Sequence, residues 1–391
     1  TLSSSSAASD VYKRQSLGHA FGDKLLKTVA ERLLSCVRQV DMVARLGGDE
    51  FVLLLSDTHQ RGAEITARRI LDALGHVIQI GELSVNVSTS IGIALFPEDG
   101  DSMDELIKNA DSAMYSVKER GRDDFRFYQK EMNIGLLSRV KLDAAIRQAI
   151  ERESFNVHYQ PLICINSKKI VGAEALLRWR HADMGDVSPA QFIPVAEESG
   201  SIVPLGKWVL RQACLQGVQW KDMGFNVVMS VNVAVSQFHQ SSFIDTVLST
   251  LAETGLPPEL LELELTESML VNDVEEAIAK LSILNAKGVR VSIDDFGTGY
   301  SSFMYLKRFP VQKLKIDRTF IRLVPHNAID TAIVAAIISM SKSLGLAVVA
   351  EGVETVEQRD YLSQLQCEQL QGFWFSPAVE ASAFERLLAH Q

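Results

Sequence analysis

No stretch of the 391-residue sequence is long and apolar enough to cross a membrane. The most apolar run, 332–350, is broken by Ser339, Lys342 and Gly345, which suits a buried helix followed by a strand. Cysteine is scarce. The four present (Cys36, Cys164, Cys214, Cys367) lie far apart, so they offer no zinc-ligand spacing and read as reduced core residues of a cytosolic protein. Positive charge is also short: a net charge of −10 excludes bulk binding to nucleic acid, and any anionic ligand needs local metals or arginines. Apolar residues are plentiful at 47% of the chain, enough for sizeable cores, and the length has room for roughly two or three domains.

Residues 5–15, Ser-Ser-Ala-Ala-Ser-Asp-Val-Tyr-Lys-Arg-Gln, resemble an in-frame translation of a transposon-end sequencing adapter. Residues 1–15 are therefore set apart from the fold. The natural part of the chain is expected to begin at Ser16, with sensory domains, and any membrane anchor, in lost sequence upstream of it.

From Ser16 to about Gln129 the pattern is that of a small α+β domain. Leu25, Leu26, Val29, Leu33 and Leu34 predict a helix over 23–38. Apolar runs on either side of Gly47-Gly48 predict a hairpin, with Asp49 and Glu50 at its turn. Glycines admit a phosphate close to the backbone and acids can hold a metal on it, although many hairpin turns are acidic without any ligand. A strand region at 85–96, a helix at 104–119 and a strand at 125–128 follow. An apolar stripe over 130–152 predicts a helix connecting to the next domain.

These residues carry a resemblance. Arg45–Gly48 with Asp49, Glu50 and Phe51, Ser16–His19 with Gly22-Asp23, and Ala110-Asp111 with Lys118, Gly121 and Arg122 are similar to the GGDEF family of diguanylate cyclases. The likeness implies that Asp49 and Glu50 face metal and nucleotide, with GTP or cyclic di-GMP as ligands. It implies that Lys118 and Arg122 hold phosphates and that Arg38 and Asp41 form a product-binding inhibitory site. The spacing of that last pair also suits an i,i+3 surface contact. The family's domain begins earlier, with a central strand carrying a metal-binding Asp and a helix that reads guanine. Without them the segment is expected to be inactive as a cyclase, with an open sheet edge and an unfilled core.

From about Val140 to Gln391 apolar strands alternate with amphipathic helices. Strands are expected at 156–160, 171–177, 226–233, 260–265, 289–294, 313–316, 347–350 and 368–372. Helices are expected at 189–198, 205–223, 243–254, 273–287, 328–344 and 356–364. This succession predicts a TIM-type (β/α)8 barrel, whose chemistry sits where strands end in loops. The strand ends carry Glu174, Asn232, Glu264, Glu267, Asp294, Asp295, Lys315, Asp317, Glu351, Glu354 and Gln371. Any one of these acids, taken singly, reads better as a satisfied core acid or a helix cap. Gathered at one rim, they coexist only around cations. Oxygen ligands without Cys or His favour Mg²⁺ or Mn²⁺ over zinc. An oxygen-rich two-ion site is the apparatus of phosphodiester hydrolysis. Lys315 is expected to steady a water or the phosphorane charge, Glu351 to be a ligand or general base, and Arg178 to meet a substrate phosphate.

Tyr159-Gln160-Pro161, Glu174-Ala175-Leu176, Glu264–Glu267, the run from Asp294 to Ser302, Lys315-Ile316-Asp317, Glu351–Glu354 and Gln371–Phe373 resemble the EAL family of cyclic di-GMP phosphodiesterases. The likeness spans essentially the whole segment. It implies metal ligands Glu174, Asn232, Glu264, Asp294, Asp295 and Glu351, with Lys315 assisting the water. It implies a substrate site lined by Gln160, Arg178, Asp317, Glu354 and Gln371. It also implies a loop from Phe296 to Ser302, anchored by Glu267, that links homodimerisation through the barrel to metal binding. The reaction implied opens cyclic di-GMP to linear pGpG. Ala182, Ala234 and Phe303 depart from the usual pattern without removing a ligand. A non-hydrolysing cyclic di-GMP receptor and a fragment of a bifunctional cyclase/phosphodiesterase remain the alternatives.

Overall fold

The computed structural model describes residues 2–6, 19–81, 83–118, 123–271, 273–297 and 306–390. The chain divides into two compact units, Thr1–Lys141 and Leu142–Gln391.

The first unit is built on strands β1 (Leu2–Ser6), β2 (Met42–Gly47), β3 (Glu50–Leu54), β4 (Ile78–Ile80), β5 (Leu83–Val85), β6 (Ser90–Ala94) and β7 (Asp124–Phe127). Its main sheet runs β2-β3-β1-β6-β7, and β4 and β5 form a separate pair. Helices His19–Ser35, Gln60–Gly75 and Met103–Lys118 accompany it. Leu25, Leu26, Val29 and Leu33 on the first helix pack with Phe51, Leu53, Ile70, Ile91 and Ile93, so the predicted apolar stripe meets the sheet. One feature departs from expectation. Leu2–Ser6, set apart above, pairs antiparallel with both β3 and β6 and takes the middle of the sheet. A strand ladder is made by backbone N–H and C=O groups, so a serine-rich segment can fill a strand position without side-chain specificity. The sheet therefore has a middle strand where an open edge was expected.

The second unit contains β8 (Phe155–Cys164), β9 (Ile170–His181), β10 (Gly185–Val187), β11 (Val228–Asn232), β12 (Leu261–Thr266), β13 (Arg290–Phe296), β14 (Lys313–Ile316), β15 (Ala347–Ala350) and β16 (Gln369–Leu370). The sheet order is β10-β9-β11-β12-β13-β14-β15-β16-β8, and a further β8–β9 pairing closes it into a barrel with β10 flanking β9. Strands β9 and β11 to β16 pair parallel around the ring. Strand β8 runs antiparallel to both of its neighbours. It turns directly into β9 through Ile165–Lys169, too few residues for the crossover helix a parallel pair needs. Leu263, Ile293, Leu314 and Val348 are among the buried strand residues, and helix residues such as Ala213, Val247, Leu281 and Val334 cover the barrel.

Candidate active site

Alternation along the strands aims every second side chain into the barrel. On β12 this points Glu262 and Glu264 inward, and on β14 it points Lys313 and Lys315 inward, all of them buried. Strand β13 lies between these two and offers Ser292 and Asp294 at the intervening positions. The small Ser292 leaves room for Lys313 Nζ to reach Glu262 Oε2 at 2.7 Å. Ser230 Oγ donates to Glu262 Oε1 at 3.2 Å, completing a polar layer that the sequence reading did not single out.

The layer nearer the strand ends holds the expected set. Lys315 Nζ sits 2.6 Å from Glu264 Oε2, 2.6 Å from Glu351 Oε1, 3.2 Å from Asp294 Oδ1 and 3.6 Å from Glu174 Oε2. Its side chain is 1% exposed. Asn232 Nδ2 donates to Glu174 Oε1 at 2.7 Å, and Gln371 Nε2 donates to Glu174 Oε2. Gln371 also reaches Gln160 Oε1 at 3.3 Å, and Gln160 Nε2 donates to Ser376 O at 3.3 Å. Gly372 makes that arrangement possible: a Cβ there would lie 2.1 Å from Val353 O, so only glycine lets Gln371 lie against the loop after β15.

Neighbouring residues of a strand ordinarily point to opposite faces, yet Asp294 and Asp295 converge. The register with β14 shifts between Ile293 and Phe296, and Asp295 has a left-handed backbone with φ +53°. This bulge turns the second carboxylate toward the first. One oxygen from each of Asp294, Asp295 and Glu351 then lies within 4.8 Å of the others, close enough to share a cation. Asp317 lies beside Asp295. It also caps helix Arg318–Ile321, accepting from Thr319 N at 2.9 Å.

The electrostatics follow from burial. Desolvation alone would depress the Lys315 ammonium, but Glu174, Glu264, Glu351 and Asp294 outweigh it and hold the group well above its ordinary value. Burial raises Glu264 well above the carboxylate range despite Lys315, with Glu174, Asp294 and Glu262 adding to the rise. Burial likewise pushes Glu351 up to about 8. Glu174 is lowered: burial opposes ionisation, and Lys315, Gln371 and Asn232 together overcome it. An internal ammonium thus offsets part of the negative charge gathered at this rim.

The donor set suits divalent cations: carboxylates and one amide, all oxygen, with no sulfur or imidazole. Glu264 Oε1 is buried without a hydrogen-bond partner among the described residues, as a ligand atom facing a cation would be. Arg178 is half-buried and donates to Leu177 O at 2.8 Å. Glu354 is exposed, and no described bond ties its carboxylate to the cluster. Glu267 opens helix Glu267–Val271 directly after β12. Of the expected loop, 298–302 lies outside the described residues.

In the first unit Gly48 has φ +53°, and Arg45 Nε and NH2 close the hairpin onto Gly48 O at 3.0 and 2.6 Å. Gly47, Asp49, Glu50 and Phe51 complete that turn. A cavity of about 460 Å³ between helix His19–Ser35 and the hairpin is lined by Asp23, Lys27, Arg45 and Phe51 among others. Asp41 does not pair with the Arg38 guanidinium in the described contacts. Its carboxylate accepts from Arg38 N at 2.8 Å and Ser56 N at 3.0 Å, so it orders a turn. Lys118 ends helix Met103–Lys118, and Arg122 lies outside the described residues.

A closed barrel with an all-oxygen acidic cluster around a buried lysine, at one end of its strands, offers the groups that cation-assisted chemistry on phosphate esters needs. The comparisons make this specific. The EAL domain family matches residues 143–378, and the family described as diguanylate cyclase, GGDEF domain, matches residues 11–124. The chain belongs to the EAL domain family and carries a GGDEF domain ahead of the barrel. It is 44% identical over 386 residues to the bifunctional diguanylate cyclase/cyclic di-GMP phosphodiesterase MucR of Pseudomonas aeruginosa, covering 98% of this chain and 55% of that protein. It is 39% identical over 369 residues to the cyclic di-GMP phosphodiesterase PdeR of Escherichia coli, covering 94% of this chain and 56% of that protein. A solved structure described as PaMucR phosphodiesterase, cyclic di-GMP complex, aligns with TM-score 0.61 and 44% identity over 62% of this chain and 99% of that one. The chain spans about half the length of these curated relatives. No described helix is long and apolar enough to cross a membrane.

Proposed function

We propose that the barrel is a divalent-metal-dependent phosphodiesterase that opens cyclic di-GMP to linear pGpG, with Mg²⁺ or Mn²⁺ as the ions. The observation that carries this reading is the convergence of Glu174, Glu264, Asp294 and Glu351, from four different strands, within 3.6 Å of Lys315 Nζ. Glu174, Asn232, Glu264, Asp294, Asp295 and Glu351 would hold the ions. What a divalent pair supplies when bound is Lewis-acid charge on the phosphodiester and a lowered pKa for a water.

The chain's own residues do the rest. Lys315 offers a fixed ammonium to the developing negative charge, in a site dry enough for that charge to count. Glu351, at the rim and easily protonated, can take a proton from the attacking water. Asn232 and Gln371 fix the orientation of Glu174. Gln160, Gln371, Arg178, Asp317 and Glu354 are proposed to line the substrate site, with Arg178 turning from Leu177 O to a phosphate. A homodimer through the barrel, and GTP or cyclic di-GMP at the first unit, belong to the same reading. The first unit is proposed to be inactive as a cyclase: its middle strand, Leu2–Ser6, carries leucine and serines and no carboxylate to complete a metal site beside Asp49 and Glu50.

Incubation of the full chain with cyclic di-GMP and Mg²⁺, followed by chromatography, tests the proposal. Appearance of pGpG that stops on adding EDTA supports it. Binding of cyclic di-GMP without pGpG would make the barrel a receptor.

A further inference from the structure

A second cavity, of about 460 Å³, opens in the barrel unit where helix Lys130–Glu151 ends against the end of β9. That volume falls in the range of small-molecule sites. Its polar lining is Gln148, Arg152, Ser154, Arg180 and His181, over a floor that includes Trp179, and none of the lining residues is an acid.

Each donor is available. His181 Nδ1 accepts the backbone N–H groups of Asp183 and Met184 at 3.2 and 3.4 Å, which leaves the ring proton on Nε2 as a donor. The only described partner of the Arg180 guanidinium is Asp186, 3.8 Å away with both side chains more than 80% exposed, a contact too wet to hold it. Arg152 has no side-chain partner among the described residues. The walls are firm: Ile146 and Ala149 of the helix pack with Phe155, Trp179 and Phe192, and the Phe155 and Trp179 rings lie 5.3 Å apart.

A cation just past a helix C-terminus is favoured by the helix dipole, which accounts for Arg152 without any ligand. It does not account for Arg180 and an oriented His181 both lining the same cavity, in a chain of net charge −10. We infer that this cavity binds a phosphate-bearing small molecule of about mononucleotide size, at a site separate from the acidic cluster. Arg180 lies six residues beyond Glu174 on β9, about 20 Å along the strand. Two guanidinium forks and a neutral N–H donor match phosphate oxygens. The ligand would clasp the connecting helix to the strand that bears Glu174 and Arg178.

The test is calorimetric titration of the full chain with GMP and, separately, with pyrophosphate, in EDTA at low salt. Wild type, Arg152→Gln, Arg180→Gln, the double variant and Glu174→Gln are compared. The expected result is saturable binding of GMP that weakens about tenfold for each arginine removed and survives in Glu174→Gln. Pyrophosphate binding on the same arginines shows that the phosphate, not the base, is recognised. Both arginines are exposed, so circular dichroism should match wild type, and Arg180→Lys, which keeps the charge without the fork, should bind between wild type and Arg180→Gln. Absence of binding below about 10 mM, or binding unchanged in the double variant, overturns the inference.

Discussion

Replacing Lys315 with methionine keeps most of the side-chain volume and deletes the one positive charge inside a ring of four carboxylates. The group is 1% exposed, so solvent cannot take its place. Removing one partner of a buried ion pair typically costs about 3–5 kcal/mol, because the other is left buried and uncompensated. With a urea slope of roughly 2–3 kcal/mol/M, the barrel's unfolding midpoint in EDTA should fall by about 1–2.5 M. The same substitution removes the ammonium that competes with cations for Glu264 and Asp294. Mn²⁺ should therefore stabilise the variant more than wild type; a ligand at a hundred times its Kd contributes about 2.7 kcal/mol. Hydrolysis should still be lost, since folding and turnover use the ammonium differently. The assay is urea unfolding of the full chain, followed by tryptophan fluorescence with EDTA and then with Mn²⁺. Equal midpoints for variant and wild type in EDTA would refute the reasoning, as would an equal response to Mn²⁺.

Other outcomes follow from the same geometry. Lys313→Met or Glu262→Gln alone should destabilise the barrel by about 3 kcal/mol or more, and the pair together by less than the sum, a coupling that a double-mutant cycle in urea measures. Glu174→Gln should abolish pGpG formation while leaving the unfolding midpoint in Mg²⁺ within about 1 M of wild type, read by chromatography and fluorescence. Adding a Cβ at Gly372 forces a clash with Val353 and displaces Gln371, so Gly372→Ala should cost hydrolysis about tenfold or more in a steady-state assay. Incubation of the full chain with GTP and Mg²⁺ should yield no cyclic di-GMP by mass spectrometry; a measurable rate would show that the first unit finds its missing ligand elsewhere.

Much of the barrel could be read from the residues, and what escaped has physical causes. Strands β14 and β15 were placed with the bounds observed because short apolar runs between clear helices admit one reading. The direction of β8 was not readable, since periodicity is blind to strand sense. The short polar gap at Asn166–Lys169 was the available clue, because no crossover fits into it. Helix Ala381–Ala389 was not expected, although Phe384 and Leu388 are buried at i,i+4 spacing. The acids of the site were found because a carboxylate inside an apolar strand is anomalous. Lys313 carries the same anomaly two residues from Lys315, a signal that could have located the second buried ion pair. That Asp294 and Asp295 point the same way depends on a bulge and a left-handed backbone, which composition does not announce. Leu2–Ser6 was set apart on its resemblance to an adapter, whereas strand pairing asks only for backbone.

The acids at the barrel's end are proposed to hold a pair of divalent ions. Electron paramagnetic resonance of the full chain titrated with Mn²⁺ tests it directly. Two ions per chain are expected, spin-coupled at about 3.5–4 Å separation, with loss of the coupled signal in Asp294→Asn. Manganese that stays uncoupled at saturation, or a coupled signal unchanged by Asp294→Asn, would contradict it.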